Sequence, residues 1–423
     1  MTKASDVINT PQRGKQSYSA LIIWGVVYFV LLLLRDSYSV GINKYIFLAI
    51  ICVCAVHMKT NHLVYLFCFL FPLYVGLPGN YMTIVLLVRL IIEIRQYRAS
   101  SFVLSMALAA YVFIQNLITG YTDIVPMMYI PSVLVVLLLF TYKPNLEPLP
   151  MIVMYSAGVA ALGLIMLLST LNVYDLTDLL STSFRLGSAS VDYVEEGIMN
   201  VSVDPNFYGM FSIASISLAF PLIFHHGTKP VIKVFLSLFV LTQLTVALIG
   251  LSRAFILVAT VWMLLYLLTQ KSFKGTIIAF LTIFVIIGLL FIFIPDVIET
   301  VLARFDDTDM DTGNGRITLI QEFWDEWGSS AATMFFGVGL FACNVHCMPL
   351  QFFFGGGIVM FALVAALFLS YCTFAPTKRS LSSFLPFVVT FTMMCTIPAA
   401  AMLNAMFPLV LVGLSMHSIE KDS

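Results

Sequence analysis

Apolar residues recur in long blocks separated by short polar turns. Hydrophobic windows fall near 18–34, 43–57, 62–77, 82–95, 101–118 and 127–142, then near 149–171, 205–225, 231–250, 254–269, 275–294 and 346–374. Several are shorter than the roughly 20 residues that a straight membrane crossing needs. The stretch 382–416 contains Pro398 and has room for two short helices, which favours fourteen spans within a range of about 12–14. The pattern predicts an all-α polytopic membrane protein, with 1–423 forming one integral membrane domain.

Two intervals, 172–204 and 295–345, break this rhythm. Loops of such length carry function or lack order. The second is not structureless throughout. Its segment Gly315-Arg-Ile-Thr-Leu-Ile-Gln-Glu-Phe-Trp-Asp-Glu-Trp has apolar residues at Ile317, Ile320, Phe323, Trp324 and Trp327. That spacing predicts an amphipathic helix with an aromatic face, suited to a membrane surface.

Composition agrees with this picture. The chain is 60% hydrophobic and 10% charged, with a mean hydropathy of +1.00, whereas soluble domains carry about 25% charged residues. A formal net charge of −1 and the lack of a basic tract give no reason to expect nucleic acid. The N-terminal segment 1–17 is polar, and the apolar run after it shows no cleavage signature, so it is expected to remain as a first helix. Cys52, Cys54, Cys68, Cys372 and Cys395 lie in apolar spans, where a small hydrophobe is the expected role. Cys343 and Cys347 lie nearer the far face and could pair with each other.

Charge sets the orientation. With the N-terminus inside, the inner segments hold Lys3, Arg13, Lys15, Lys59, Arg95, Arg98, Lys143, Lys229, Lys233, Lys271, Lys274, Lys378 and Arg379. The outer segments hold only Arg35, Lys44, Arg185, Arg253, Arg304 and Arg316. Because Lys and Arg gather on the cytoplasmic side, the two long loops are expected to face outward. Both loops are acidic, so arginines within them need a reason, and a bound anion is one.

Arg253 is the sharpest case, because Gly250-Leu-Ser-Arg-Ala is too short a turn to be a solvated loop. A snorkelling anchor and a phosphate ligand explain it equally well. Arg185 has six carboxylates near it and could be a salt-bridge partner. Asp204-Pro-Asn is a good helix entry, with Asp204 as cap and proline in the first turn. His346 stands just after the second loop, and histidine is readily recruited as acid or base. In the run from Asp306 to Gly315, counting from Asp307 puts Thr312 and Thr318 where a calcium-binding EF loop needs glycine and glutamate, so a solvated hairpin is expected. Arg89 and Glu93, four apart, read as a local ion pair. Walker A, HExxH and GxSxG patterns are absent, and no acidic cluster makes a convincing metal site. A phosphate ligand would then be neutralised by arginines, whose planar fork binds oxygens in pairs.

The ordered set Arg185-Leu-Gly, Asp204-Pro-Asn-Phe-Tyr-Gly, Leu251-Ser-Arg-Ala, Gly315-Arg with its Trp helix, Phe336-Gly-Val-Gly, His346 and Gly355-Gly-Gly-Ile resembles the O-antigen polymerase and O-antigen ligase superfamily of bacterial envelope proteins. The likeness runs from about 183 to 360. Ala254 stands where the family usually has glycine, Cys347 follows His346 in place of asparagine, and Met360 replaces a later glycine of the ligase-type pattern. These departures weaken the ligase reading more than the polymerase one.

The resemblance implies a GT-C-like architecture and a multi-pass protein of the bacterial inner membrane. It implies a metal-independent, cofactor-free glycosyltransferase that uses an undecaprenyl-pyrophosphate-linked oligosaccharide. The active site would face the periplasm or cell exterior. Carried over by position, Arg253 and Arg185 would clamp the pyrophosphate and His346 would assist at donor or acceptor. Arg316, Arg304, Asp204, Asn206, Tyr208 and Trp324 would bind substrate. His346, Asp204 and the loop carboxylates remain alternatives for the base. The expected activity is repeat-unit polymerisation of an O-antigen, capsule or exopolysaccharide, with membrane lipid, a chain-length regulator and a flippase as partners. A ligase using lipid A core is the alternative. A lipid-linked oligosaccharide flippase fits less well, because internal repeats and mid-membrane charges are not seen. A structural protein of envelope assembly is the remaining class.

Overall fold

A computed structural model describes residues 18–93, 99–118, 134–136, 138–139, 146–175, 186, 203–225, 227–250, 252–269, 315–340, 342–373, 381–397 and 406–413. Most of these residues are helical, and there is no strand among them. The helices are α1 (Ser19–Asp36), α2 (Lys44–His57), α3 (Thr60–Leu70, continued by a 3₁₀ turn Phe71–Gly76), α4 (Gly79–Ile92) and α5 (Ala99–Ile118). Then come α6 (Pro148–Leu171), α7 (Pro205–Phe224), α8 (Pro230–Ile249) and α9 (Arg253–Thr269). The last are α10 (Arg316–Gly328), α11 (Ala331–Phe336), α12 (Gly356–Thr373) and α13 (Leu381–Met394). A further helical piece covers 406–413.

Among the described residues, five stretches are long and apolar enough to cross a membrane: α1, α6, α7, α8 and Met348–Ala366. Six shorter apolar helices accompany them. The described chain is therefore an all-α membrane protein. The expected spans near 127–142 and 275–294 lie wholly or mostly outside the described residues, as do Met1–Ser17, Arg185, Arg304 and the run 306–314.

Burial sorts the helices into centre and periphery. The hydrophobic windows of α6 and α7 are 72% and 67% buried, whereas those of α1 and α8 are 33% and 28% buried. The central pair is packed through small residues, as membrane helices commonly are. A Cβ on Gly158 of α6 would lie 2.2 Å from the Phe69 carbonyl oxygen of α3, and one on Gly163 would lie 2.2 Å from the Tyr208 hydroxyl of α7. Beside these contacts, at Ser156, lies a polar seam. The Ser215 hydroxyl donates to the Ser156 hydroxyl at 2.8 Å, and the Gln243 amide donates to the Ser156 carbonyl at 2.9 Å.

Hydrogen bonds at the helix termini define two ends of the bundle. At the first, Tyr18 donates to Glu147 at 2.7 Å, and the Glu147 N–H donates to Tyr65 at 2.7 Å. Arg89 there stands 3.9 Å from Glu93 and donates to Thr60, so the expected ion pair is present with a hydroxyl between its halves. At the second end, Ser37 and Ser169 share a hydrogen bond at 3.2 Å, and Asn172 donates to the Ser37 carbonyl. α6 and α7 run antiparallel, so the α7 entry at Asp204 belongs to this second end, called here the Ser37 end.

One hydrophobic window departs from expectation. The span expected over 346–374 is not a continuous helix. A short helical turn, Met348–Leu350, leads into a π-helical turn, Gln351–Gly355, and α12 starts only at Gly356. Gly357 inside it takes φ 71°, outside helical space. Hydropathy registers that this segment is apolar; it does not register that its three consecutive glycines release the backbone from the helix.

Candidate functional site

The Asp204-Pro-Asn entry is built as the chemistry of its residues dictates. Asp204 takes an extended ψ of 135°, accepts the Asn206 N–H at 2.7 Å and precedes proline in the first turn of α7. Side-chain capping and proline's fixed φ both favour this start. Asn206 reaches sideways to a second helix entry: its Oδ1 accepts from the Ser252 hydroxyl at 2.9 Å. Ser252 immediately precedes α9, where its hydroxyl accepts the Phe255 N–H at 3.3 Å and its carbonyl accepts the Ile256 N–H at 3.0 Å. Arg253, the first residue of α9, is half-buried beside this junction. The two polar motifs, far apart in sequence, thus meet through one hydrogen bond.

The second loop supplies the other side. Gly315, at φ 81°, turns the chain into α10, and Arg316 is its exposed first residue. His346 sits at the tip of a tight turn closed by the Cys347 N–H donating to the Val345 carbonyl at 2.7 Å. His346 is surface-exposed, yet partial withdrawal from water, and next the Arg316 charge, hold its pKa below the ordinary histidine value. The Asp204 carboxylate opposes them. His346 therefore feels a cation from α10 and an anion from the start of α7. The imidazole is neutral near pH 7.

The glycine motifs hold the His346 turn in place. The Val338 N–H donates to the Phe354 carbonyl at 3.0 Å, and the Gly339 N–H to the Gly355 carbonyl at 3.0 Å. Gly337 takes φ 80°, and a Cβ there would lie 2.2 Å from the Gly355 carbonyl oxygen. Only glycine accepts both that conformation and that approach. α5 ties the knot from outside: Gln115 donates to the Phe336 carbonyl at 2.6 Å and also to that of Gly355, and Tyr111 donates to Gly356 at 2.8 Å. Gln351 completes it by donating to the Cys343 carbonyl at 2.8 Å.

α10 rests on this knot by its aromatic face. Trp327 is buried with its ring 4.7 Å from Phe353, and Trp324 meets Phe354 edge-on at 5.9 Å. Ile320 and Phe323 also pack here, while Ile317 and Trp324 keep exposed surface. Tyr208 is placed differently. It is buried in the core, 3.4 Å from the Val159 carbonyl, so its surroundings give it a packing role.

Asp204, Asn206, Arg253, Arg316 and His346 are thus gathered at the Ser37 end, and Trp324 stands on α10, the helix that Arg316 begins. Arg185 and Arg304 lie outside the described residues, although Leu186, next to Arg185, is buried in the main core. Sequence reasoning did not single out Ser252, Gln115 or Tyr111 as site supports. The small polar residue just before Arg253 was the available signal for the first, and polar side chains within an apolar helix for the other two. Cys343 and Cys347, which could have paired, are both free, Cys343 buried and Cys347 partly accessible. Among the described residues, no three His, Cys, Asp or Glu side chains are grouped as a metal site. No protein-family model, curated protein or solved structure matches this chain.

Proposed function

We propose that this protein is a polysaccharide repeat-unit polymerase of the bacterial inner membrane, with a GT-C-like architecture and a site facing the periplasm or cell exterior. It would transfer glycan from undecaprenyl pyrophosphate onto the acceptor sugar of another lipid-linked repeat unit. The observation that carries this reading is the gathering of Asp204 and Asn206, Ser252 and Arg253, Arg316 and His346 at one end of the bundle. Two cations, one carboxylate and a neutral imidazole form the kind of set that displacement of a phosphate requires.

In the reaction, the acceptor hydroxyl oxygen bonds to the donor's anomeric carbon. The bond from that carbon to the pyrophosphate oxygen breaks, and its electron pair leaves with the lipid pyrophosphate. Negative charge grows on the leaving group, where Arg253 and Arg316 stabilise it more in the transition state than in the ground state. By the resemblance, Arg185, which lies outside the described residues, would belong to the same clamp. The guanidinium groups supply the neutralising charge, so the step needs no metal ion. His346, held neutral, accepts the proton of the acceptor hydroxyl. Trp324 offers an exposed aromatic ring for sugar stacking.

The test is incubation of purified protein with the lipid-linked repeat unit alone, followed by gel separation, with Arg253→Ala alongside. A ladder of repeat-unit multiples that is lost in the variant is expected. Transfer that occurs only when lipid A core is added would replace the polymerase reading with a ligase. The absence of both products from folded protein would overturn glycosyl transfer.

A further inference from the structure

The second loop changes character part-way along. Carboxylates recur from Asp296 to Glu326, and then no Asp, Glu, Lys or Arg occurs from Trp327 to Val345. α11 lies in this uncharged stretch and ends in Phe335 and Phe336, which are 53% and 47% exposed. Two membrane helices flank them. The Phe336 ring stacks on Tyr111 of α5 with 6.4 Å between centres, and α11 packs on α12, which packs on α5. α5 carries exposed Phe113, Ile114 and Leu117 near the same level, and α12 carries exposed Ile358 and Phe361. The bare aromatic tip of α11 therefore adjoins the lipid-facing surface of the bundle.

The backbone of α11 is provided for as well. The last carbonyls of a helix lack partners within it, and at a free surface water supplies them. Here protein groups do so. The Thr333 carbonyl accepts the Gly337 N–H at 2.8 Å, and the Phe336 carbonyl accepts the Gln115 amide at 2.6 Å. The Tyr111 hydroxyl, which donates to Gly356, also lies 3.4 Å from the Phe335 carbonyl oxygen. Ser330 and Thr333 close the other end with a reciprocal capping box. A chain break at membrane depth is tolerated where protein satisfies the backbone in this way.

We infer that α11 is a membrane-inserted wedge: Phe335 and Phe336 enter the acyl region of the leaflet at the Ser37 end and seat on it the module that carries Arg316 and His346. α5 begins a few residues after Glu93, at the opposite end, so its Gln115 and the glycine knot lie at the Ser37 end. The occupant of the apolar tip is lipid acyl chain, because the tip continues the lipid-facing surface of α5 and α12 and bears no charge. Insertion stops at α11, since Glu322, Asp325 and Glu326 of α10 are exposed and charged groups stay in water.

The test places the photoreactive residue p-benzoylphenylalanine at position 335 or 336 of the full chain, which keeps an aromatic ring at an exposed site. Each protein is irradiated in native membranes and in vesicles of phosphatidylethanolamine and phosphatidylglycerol, and adducts are mapped by mass spectrometry. Ile114 serves as the lipid-facing control and Asp325 as the water-facing one. Lipid adducts at 335 and 336, in yield like that at 114 and with none at 325, are expected. Adducts at 114 without any at 335 or 336 would overturn the wedge, as would cross-links from 335 and 336 to another polypeptide in native membranes. No glycan substrate is needed, so failure here would leave the transferase reading standing.

Discussion

Arg35 and Arg316 stand at the same end of the bundle in opposite surroundings. Arg35 is 8% exposed, holds Asp36 through bonds of 2.6 and 2.8 Å, and lies 5.2 Å from the centre of the Phe47 ring. Its charge is consumed by its own neighbour, and it acts as a structural brace for the end of α1. Arg316 is exposed at the start of a surface helix, and its field falls on His346, which also feels Asp204 from the start of α7. The lesson concerns how to read an outer-face cation. A cation closed by an adjacent carboxylate belongs to the scaffold. A cation that shares a surface with acid, base and donor groups from distant segments is available to a ligand.

The sharpest break of this comparison is on the scaffold side. Arg35→Ala leaves Asp36 buried without its partner and should destabilise the protein by about 3–5 kcal/mol. Replacing both residues by leucine should restore much of that stability, as read by thermal unfolding in detergent. Turnover per folded molecule should stay near wild type. On the site side the effects invert. Arg253→Ala should lower turnover per folded molecule about 100- to 1000-fold, the range for losing one transition-state donor.

A smaller effect lies at the junction between the two regions. Ser252→Ala removes both the cap of α9 and the bond to Asn206, and should cost about 1 kcal/mol of stability. Because the start of α9 then loosens, turnover should fall more than stability does. Ser252→Thr, which keeps the hydroxyl, should recover most of it.

The finest test concerns pH. His346 is held below its ordinary pKa, so it is neutral near pH 7, and turnover should fall only as acid reaches that lowered value. Arg316→Gln removes a charge that lowers the pKa, so the acid limb should move to higher pH. Asp204→Asn keeps a helix-capping side chain but removes the charge that raises it, so the limb should move to lower pH. An acid limb that stays fixed in both variants would separate these residues from His346.

The helices and their entries were legible in sequence because they depend on local chemistry. The Asp204-Pro cap, the aromatic spacing of α10 and the Arg89–Glu93 pair each lie within one or two turns of chain. The break at Gly355–Gly357 was hidden, because average hydropathy carries no information about backbone conformation. The supports of the site were hidden for another reason. Gln115 reaching Gly355 and Asn206 reaching Ser252 are partnerships across long sequence separations, which no local pattern encodes. For the same reason the site residues could be named as candidates while the contacts between them could not.

The central claim is that the Arg253 cluster, and not the Arg35 brace, recognises a lipid pyrophosphate. The most direct measurement is the affinity of the purified protein for undecaprenyl pyrophosphate, compared among wild type, Arg253→Ala and the double leucine replacement of Arg35 and Asp36. A loss of at least about tenfold in Arg253→Ala, as expected for a charged hydrogen bond, with wild-type affinity in the double replacement, is the predicted result. Equal affinity in Arg253→Ala and wild type would contradict the account.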